Sequence, residues 1–258
     1  MTQPMLQIRD LAKSFGGVEA MRGVTLDFPA GSLTAIIGPN GAGKTTFFNL
    51  ISGHIRPDRG EVKLDGEELV GLSALEVVRR GMTRAFQVAS IFPDMTMEQS
   101  LVAAVTAQRG ELFSMLRRAP LPAARERAGE IMDLLGLTPR AGAVSRNLSH
   151  GEQKLLDIGL ALALEPKVLL LDEPTAGMGA EERWRMIEKV HALWEGSDLT
   201  VIFIEHDMDI VFQIAQSIDV LSYGQVLAQG TPEEIKRNQA VIDAYLGQDH
   251  HHAVTEGA

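Results

Sequence analysis

Nine consecutive residues, Gly38-Pro39-Asn40-Gly41-Ala42-Gly43-Lys44-Thr45-Thr46, have the composition and spacing of a loop that cradles a polyphosphate. Gly41 and Gly43 lack a Cβ, so the backbone there can curl and aim successive N–H groups into one hollow. Lys44 is placed to reach β- and γ-phosphates. The Thr45 hydroxyl is placed to ligate Mg²⁺, a cation that keeps waters and substrate oxygens in its shell. Such a loop belongs between a strand and a helix, because a helix N-terminus sets its positive dipole end beneath the anion. Both flanks comply: Leu33-Thr34-Ala35-Ile36-Ile37 is a short apolar run, and Phe47, Leu50 and Ile51 recur behind the loop at helical spacing.

A second set of polar residues ends two further apolar runs. Val168-Leu169-Leu170-Leu171 leads into Asp172-Glu173, the pattern of a central parallel strand whose C-terminal edge carries chemistry. Two acids there are explained by solvent at the strand end, or by a cation and a water. In the second case Asp172 faces Mg²⁺ and Glu173 faces the attacking nucleophile. Residues 200–204 form another buried strand and deliver Glu205-His206-Asp207 to the same edge, where His206 reads as a polar sensor or as the start of the next helix. Ser149 and Glu152 have capping-box spacing ahead of Leu155, Leu156, Ile158 and Leu162, so a helix begins at Ser149. Taken alone, that is an ordinary helix start. Phe15, beside a Gly16-Gly17 turn, is either a face for a purine ring or a plain core aromatic.

The elements that must position these residues follow from the rest of the chain. Its 258 residues allow a single large unit with an inserted lobe. Strands at 5–8 and 24–28 flank the Gly16-Gly17 turn and open an antiparallel sheet, and Asp65-Gly66 and Tyr223-Gly224 mark further hairpins. After Ala85 helix formers dominate to about Leu164, which reads as a helical lobe over about 88–164, broken into two helices near 117–122. Another helix starts at Ala180 with Trp184, Ile187, His191 and Trp194 along one stripe, and His191 is structural there. A last one runs from Thr231-Pro232 toward Tyr245-Leu246. The tail, 248–258, carries His250-His251-His252, which either bind a transition metal weakly or belong to a disordered segment without a role, the favoured reading.

Composition excludes several classes. Lys and Arg total 24 against 34 Asp and Glu, a formal charge of -10, so a broad nucleic-acid or anionic-lipid footprint is not expected and any anion site is local. There is no cysteine and no basic-then-apolar N-terminal segment, so the chain is expected to stay in the cytosol. The apolar stretch 158–171 is broken by Glu165, Pro166 and Lys167, and no run reaches the roughly 20 apolar residues that span a bilayer. A membrane role therefore needs a partner.

Taken together, these stretches resemble, in order and spacing, the ATP-binding subunit of ABC transporters over residues 1–247. The resemblance implies an α/β fold: a P-loop NTPase core with an antiparallel β subdomain and an inserted helical subdomain. It makes Phe15 the adenine-stacking aromatic, Gly38 to Thr45 Walker A, Gln87 the Q-loop residue at Mg²⁺, and 168–173 Walker B. Leu148 to Gln153 looks like the signature and His206 like the switch histidine. The family further implies ATP and Mg²⁺ as cofactors and a head-to-tail dimer of two ATPase subunits, alike or different. Ser149, Gly151 and Glu152 of one subunit would then meet the nucleotide of the other. It also implies an integral-membrane permease, docked through 91–96 with Phe92 and Met95, and a place on the cytoplasmic face of the inner membrane. Two departures stand out: His150 and Glu152 inside the signature, and Ala176-Gly177-Met178-Gly179 where an aspartate-bearing segment is usual. With Arg84-Ala85-Phe86-Gln87 and the ending Ala244-Tyr245-Leu246-Gly247, they are similar to the branched-chain amino-acid import ATPases. Urea and amide importers and the lipopolysaccharide export ATPase share much of this. ABC proteins that act on ribosomes or DNA usually carry two fused ATPase units or a coiled coil, and this chain has one phosphate loop and no heptads.

Overall fold

Three tight turns set the β architecture. Gly16-Gly17 (φ 51° and 87°), Asp65-Gly66 (50° and 81°) and Tyr223-Gly224 (47° and 76°) each hold both central residues at positive φ. This is the turn whose twist matches paired strands. The computed structural model describes residues 4–85, 92–109 and 122–245. From the N-terminus, β1 (Leu6–Phe15) and β2 (Val18–Phe28) form a hairpin, and β3 (Leu33–Ile37) leads through the phosphate loop into α1 (Lys44–Ile51). β4 (Arg59–Leu64) and β5 (Glu67–Glu68) form the next hairpin, followed by α2 (Ala74–Arg79) and β6 (Met82–Ala85). Helices α3 (Met97–Gln108), α4 (Pro122–Leu134) and α5 (His150–Leu162) precede β7 (Val168–Asp172), α6 (Ala180–Glu195) and β8 (Thr200–Ile204). Then come α7 (Met208–Ile214), the hairpin of β9 (Ser217–Ser222) and β10 (Gln225–Gly230), and α8 (Pro232–Lys236).

The strands form two sheets. One is antiparallel, in the order β2-β1-β4-β5, and the other has six strands in the order β10-β9-β3-β8-β7-β6, parallel from β9 to β6. Every residue of β3, β7 and β8 is buried, which is why these strands read as unbroken apolar runs. Alternate residues serve opposite faces. Ala35, Leu169, Leu171 and Phe203 join the core shared with α3 to α7, whereas Ile36, Leu170, Ile202 and Ile204 pack with Phe47 and Phe48 of α1 and with the antiparallel sheet. Asp219 of β9 is a buried exception, 4 % exposed, whose Oδ1 accepts a 2.8 Å hydrogen bond from Gln229 Nε2.

Several sequence expectations change in detail. β1 and β2 run on to the Gly16-Gly17 turn, because register shifts around Asp10 (φ 47°) interrupt the period-two pattern that would have marked their length. The buried stripe of α6 is Met186, Ile187, Val190 and Leu193. Trp184 and Trp194 lie at the edge of that stripe, where the Trp194 indole N–H can reach the Gly31 carbonyl at 2.8 Å. His191 pairs with Glu195 at 3.5 Å and meets Trp194 edge-on. The terminal helix is not continuous: α8 stops at Lys236, and Asn238 caps a new turn through Oδ1 and the Ala240 N–H, 3.0 Å. The break expected near 117–122 lies outside the described residues up to Pro122, where α4 begins. So do Gln87, Ile91 and the histidine tail.

Candidate functional site

β3 ends at Ile37 and α1 starts at Lys44, so the phosphate loop is the joint between a central strand and a helix. Gly43 is the N-cap of α1 at φ 101° and offers no side-chain cap. The first N–H groups of the helix therefore remain for an anion. Neighbouring backbone holds the loop closely. The Gly224 N–H donates to the Ala42 carbonyl (3.0 Å), and the Arg22 N–H donates to the Gly224 carbonyl (2.8 Å). A Cβ on Gly43 would sit 2.8 Å from the Ala20 carbonyl oxygen, and one on Gly224 2.6 Å from the same atom. The phenol of Tyr245, pushed up to about 12 by burial, is hydrogen-bonded to the backbone of Gly38.

Lys44 is buried, and its ammonium donates to the carbonyls of Gly38 (2.6 Å) and Pro39 (3.1 Å). Burial draws its pKa down, while the charges of Glu173 and Asp172 oppose that. Residues 40–46 line a cleft of about 410 Å³ together with Glu173 and His206, and Val18, Arg22 and Tyr223 contribute from the two hairpins. The phosphate loop thus faces a carboxylate and an imidazole across one space. His206 Nε2 lies 2.7 Å from Glu173 Oε1. Glu173 has a left-handed backbone, φ 50°, and its N–H donates to the Ile204 carbonyl at 3.0 Å, which ties it to the end of β8. Glu205, 4 % exposed, accepts from the Thr175 N–H (2.9 Å) and hydroxyl (2.7 Å) and from the His206 N–H (3.2 Å). It organises the strand edge without lining the cleft.

Asp172 is 5 % exposed and pairs with Arg84 of β6. The same guanidinium donates to Asn49 Oδ1 at 2.7 Å and lies over the Phe48 ring, 5.6 Å from its centroid. Sequence reasoning missed this role of Arg84; the signal was a single cation between Thr83 and Ala85, both buried. Among the described residues no cluster of three His, Cys, Asp or Glu could cage a metal. That fits Mg²⁺, which takes one or two protein oxygens and completes its shell with phosphate and water. The exposed Thr45 hydroxyl and the Asp172 carboxylate are oxygen donors of that kind.

The chain matches the ABC transporter family model over residues 21–176, and residues 225–251 match a second model described as branched-chain amino acid ATP-binding cassette transporter. This protein belongs to the ABC transporter ATP-binding family. The high-affinity branched-chain amino acid transport ATP-binding protein LivG of Escherichia coli (strain K12) is 37% identical over 254 residues, 96% of this chain and 100% of LivG. Among solved structures, the ADP conformation of MJ1267, an ATP-binding cassette of an ABC transporter, superposes with a TM-score of 0.83 at 28% identity, covering 95% of this chain and 100% of that one. A dimeric structure of MJ0796, a bacterial ABC transporter cassette, reaches 0.74 at 25% identity over 88% and 99% of the two chains. Cassettes of this family bind ATP and hydrolyse it to power transport, and the strand edge just described carries the residue types such hydrolysis needs.

Family landmarks fall in two places on this ABC cassette. Walker A, Glu173 and His206 share the cleft. Ser149, Gly151 and Glu152 are not part of its lining: they form the first turn of α5, where the Ser149 Oγ accepts from the Glu152 N–H (3.2 Å) and the Glu152 carboxylate accepts from the Ser149 N–H (2.9 Å). The other Glu152 oxygen accepts from Arg140 Nε at 3.0 Å. Phe15 is also outside the lining. Its cross-strand partner Val18 is inside, while Phe15 is 45 % exposed with the Lys13 ammonium 5.5 Å above its ring.

Proposed function

We infer that this ABC cassette, acting as one catalytic unit over residues 1–247, powers import of branched-chain amino acids through a partner permease. The observation that carries this reading is the match at 225–251, because those residues lie beyond the nucleotide-binding motifs that ABC proteins of every solute share. Solute specificity itself belongs to the permease and an external binding protein. Supporting a peripheral role, no helix among the described residues is long and apolar enough to cross a membrane. In our reading the subunit sits on the cytoplasmic face of the inner membrane and contacts no nucleic acid.

The geometry supports a set of catalytic roles. Lys44 and the first N–H groups of α1 would hold the β- and γ-phosphates, and Thr45 and Asp172 would hold Mg²⁺, which would supply neutralising charge to the phosphates. Glu173 orients the attacking water and accepts its proton, and His206 holds Glu173 at 2.7 Å. The first turn of α5 supports a head-to-tail dimer, since a capped helix N-terminus outside the lining of its own cleft can take the phosphates of a second subunit. Deleting the gene in a strain without a redundant importer should abolish uptake of labelled leucine, isoleucine and valine. Intact uptake of all three would overturn the solute assignment and leave the ATPase assignment standing.

A further inference from the structure

Helix α5 does more than present Ser149. Lys154, one turn further on, is 3 % exposed, and its ammonium reaches the segment that follows β7. Nζ donates to the carbonyl of Glu173 at 2.8 Å and to that of Ala176 at 3.1 Å. His150, four residues earlier and so on the same helix face, lies with Nε2 3.2 Å from the same Ala176 carbonyl. Gly151 closes the contact, since a Cβ there would be 2.4 Å from Glu182 Oε1 of α6. The signature helix therefore grips the loop that carries the proposed catalytic carboxylate of its own subunit.

Glu173 needs such a grip. A left-handed backbone in a residue with a Cβ is disfavoured and persists where neighbours over-determine it. Two hydrogen bonds to the residue's own peptide groups do so here: Ile204 accepts from its N–H, and Lys154 donates to its carbonyl. Burial draws the Lys154 pKa down, and the charges of Glu205, Glu173, Asp157 and Asp172 oppose that. The loop has no aspartate of its own to brace it, reading Ala176-Gly177-Met178-Gly179.

We propose that Lys154 is a positioning residue for hydrolysis: by holding the Glu173 and Ala176 carbonyls it fixes the direction of the Glu173 carboxylate, and it ties that direction to the signature helix. Resting on the dimer reading above, the consequence is that a nucleotide seated on one subunit's Ser149 turn aligns that same subunit's Glu173 for its own ATP. The two sites are thereby linked through one side chain.

The test compares Lys154→Met and Lys154→Arg in the full-length chain, measuring Mg-ATP turnover at saturation, KM, and binding of a fluorescent ATP analogue. Methionine keeps the length and removes both donors. Its kcat should fall at least about tenfold, as misplacing a reacting group does, with KM and analogue affinity within about twofold of wild type. Arginine restores donors and should recover most of kcat. A merely structural role would lower binding and turnover together, and that result, or a wild-type kcat in the methionine variant, overturns the proposal. Should the methionine variant not fold, Lys154→Gln, whose shorter amide loses the charge and the reach to both carbonyls, is measured in the same way: kcat reduced at constant KM upholds the proposal, and unchanged kcat overturns it. Lys44→Ala and Glu173→Gln run alongside. If either of these keeps wild-type turnover, the ATPase site assignment itself fails, an outcome distinct from failure of Lys154 alone.

Discussion

Replacing Asp219 by asparagine should make this protein more stable at neutral pH and leave it unchanged in acid. Asp219 lies in β9, the second strand of the larger sheet, between Ile36 of β3 and Gln229 of the edge strand β10. Burial pushes its carboxyl from 3.8 up to about 6, and the hydrogen bond from Gln229 pulls only weakly the other way. Below its unfolded pKa the group is neutral in folded and unfolded chains alike, so it costs nothing there. As pH rises toward 6 the unfolded chain releases the proton first, and stability falls. Above about 6 both forms are ionised and the whole penalty is present, about 3 kcal/mol for a pKa difference of this size. Asparagine keeps an oxygen for Gln229 and cannot ionise. Urea unfolding of both proteins across a pH series should give matching stabilities near pH 3 and a gap opening to as much as about 3 kcal/mol by pH 8. Parallel pH profiles for the two proteins would refute the argument, because they would show that Asp219 ionises as readily folded as unfolded.

Further outcomes follow from the site. Glu173→Gln should bind Mg-ATP normally and lose turnover by roughly 10²–10⁴-fold, the usual share of a general base. It should also run as a dimer with Mg-ATP and as a monomer without it in light scattering, and a monomer under both conditions with ATP bound would mean that this chain needs a different ATPase subunit. Arg84→Met leaves the buried Asp172 carboxylate unpaired and should cost about 3–5 kcal/mol in urea unfolding, most of it recovered by adding Asp172→Asn; a neutral single variant would show that the pair contributes nothing to the fold. Phe92, 48 % exposed ahead of α3, should tolerate Phe92→Asp without loss of ATP binding. The same change should weaken co-purification with the permease, and full recovery of the permease would rule this surface out.

The central sheet was legible because its strands are buried on both faces, and buried parallel strands announce themselves as apolar runs. The phosphate loop, the capped start of α5 and the three hairpin turns were legible for a similar reason, since each rests on a local rule about glycine, a hydroxyl or a positive φ. What the sequence hid depends on distant partners. Nothing in the neighbourhood of Arg84 reveals that Asp172 lies beside it, because parallel strands β6 and β7 are joined through the whole helical segment. Lys154 looks like one more solvated cation on a helix until the loop after β7 is seen beneath it. Phe15 is a different case: its base-stacking role rests on its type and place in the chain, and it stands exposed outside the cleft lining, which takes Val18 from the facing strand. The full length of β1 was obscured by the bulge at Asp10, which resets the alternation that a strand reading counts on.

The packing of the Gly43 and Gly224 turns against the Ala20 carbonyl also bears on how the protein is made. The phosphate loop comes early in the sequence, but its shape is completed by the β9–β10 turn and by Tyr245, which follow far later. Contacts between such distant parts of a chain form late, after the loops between them have closed. A nascent chain emerging N-terminus first therefore displays its whole Walker A sequence long before it owns a nucleotide pocket. The cleft takes this shape only once the β9–β10 turn and Tyr245 have docked on the loop, so nucleotide binding reports that docking.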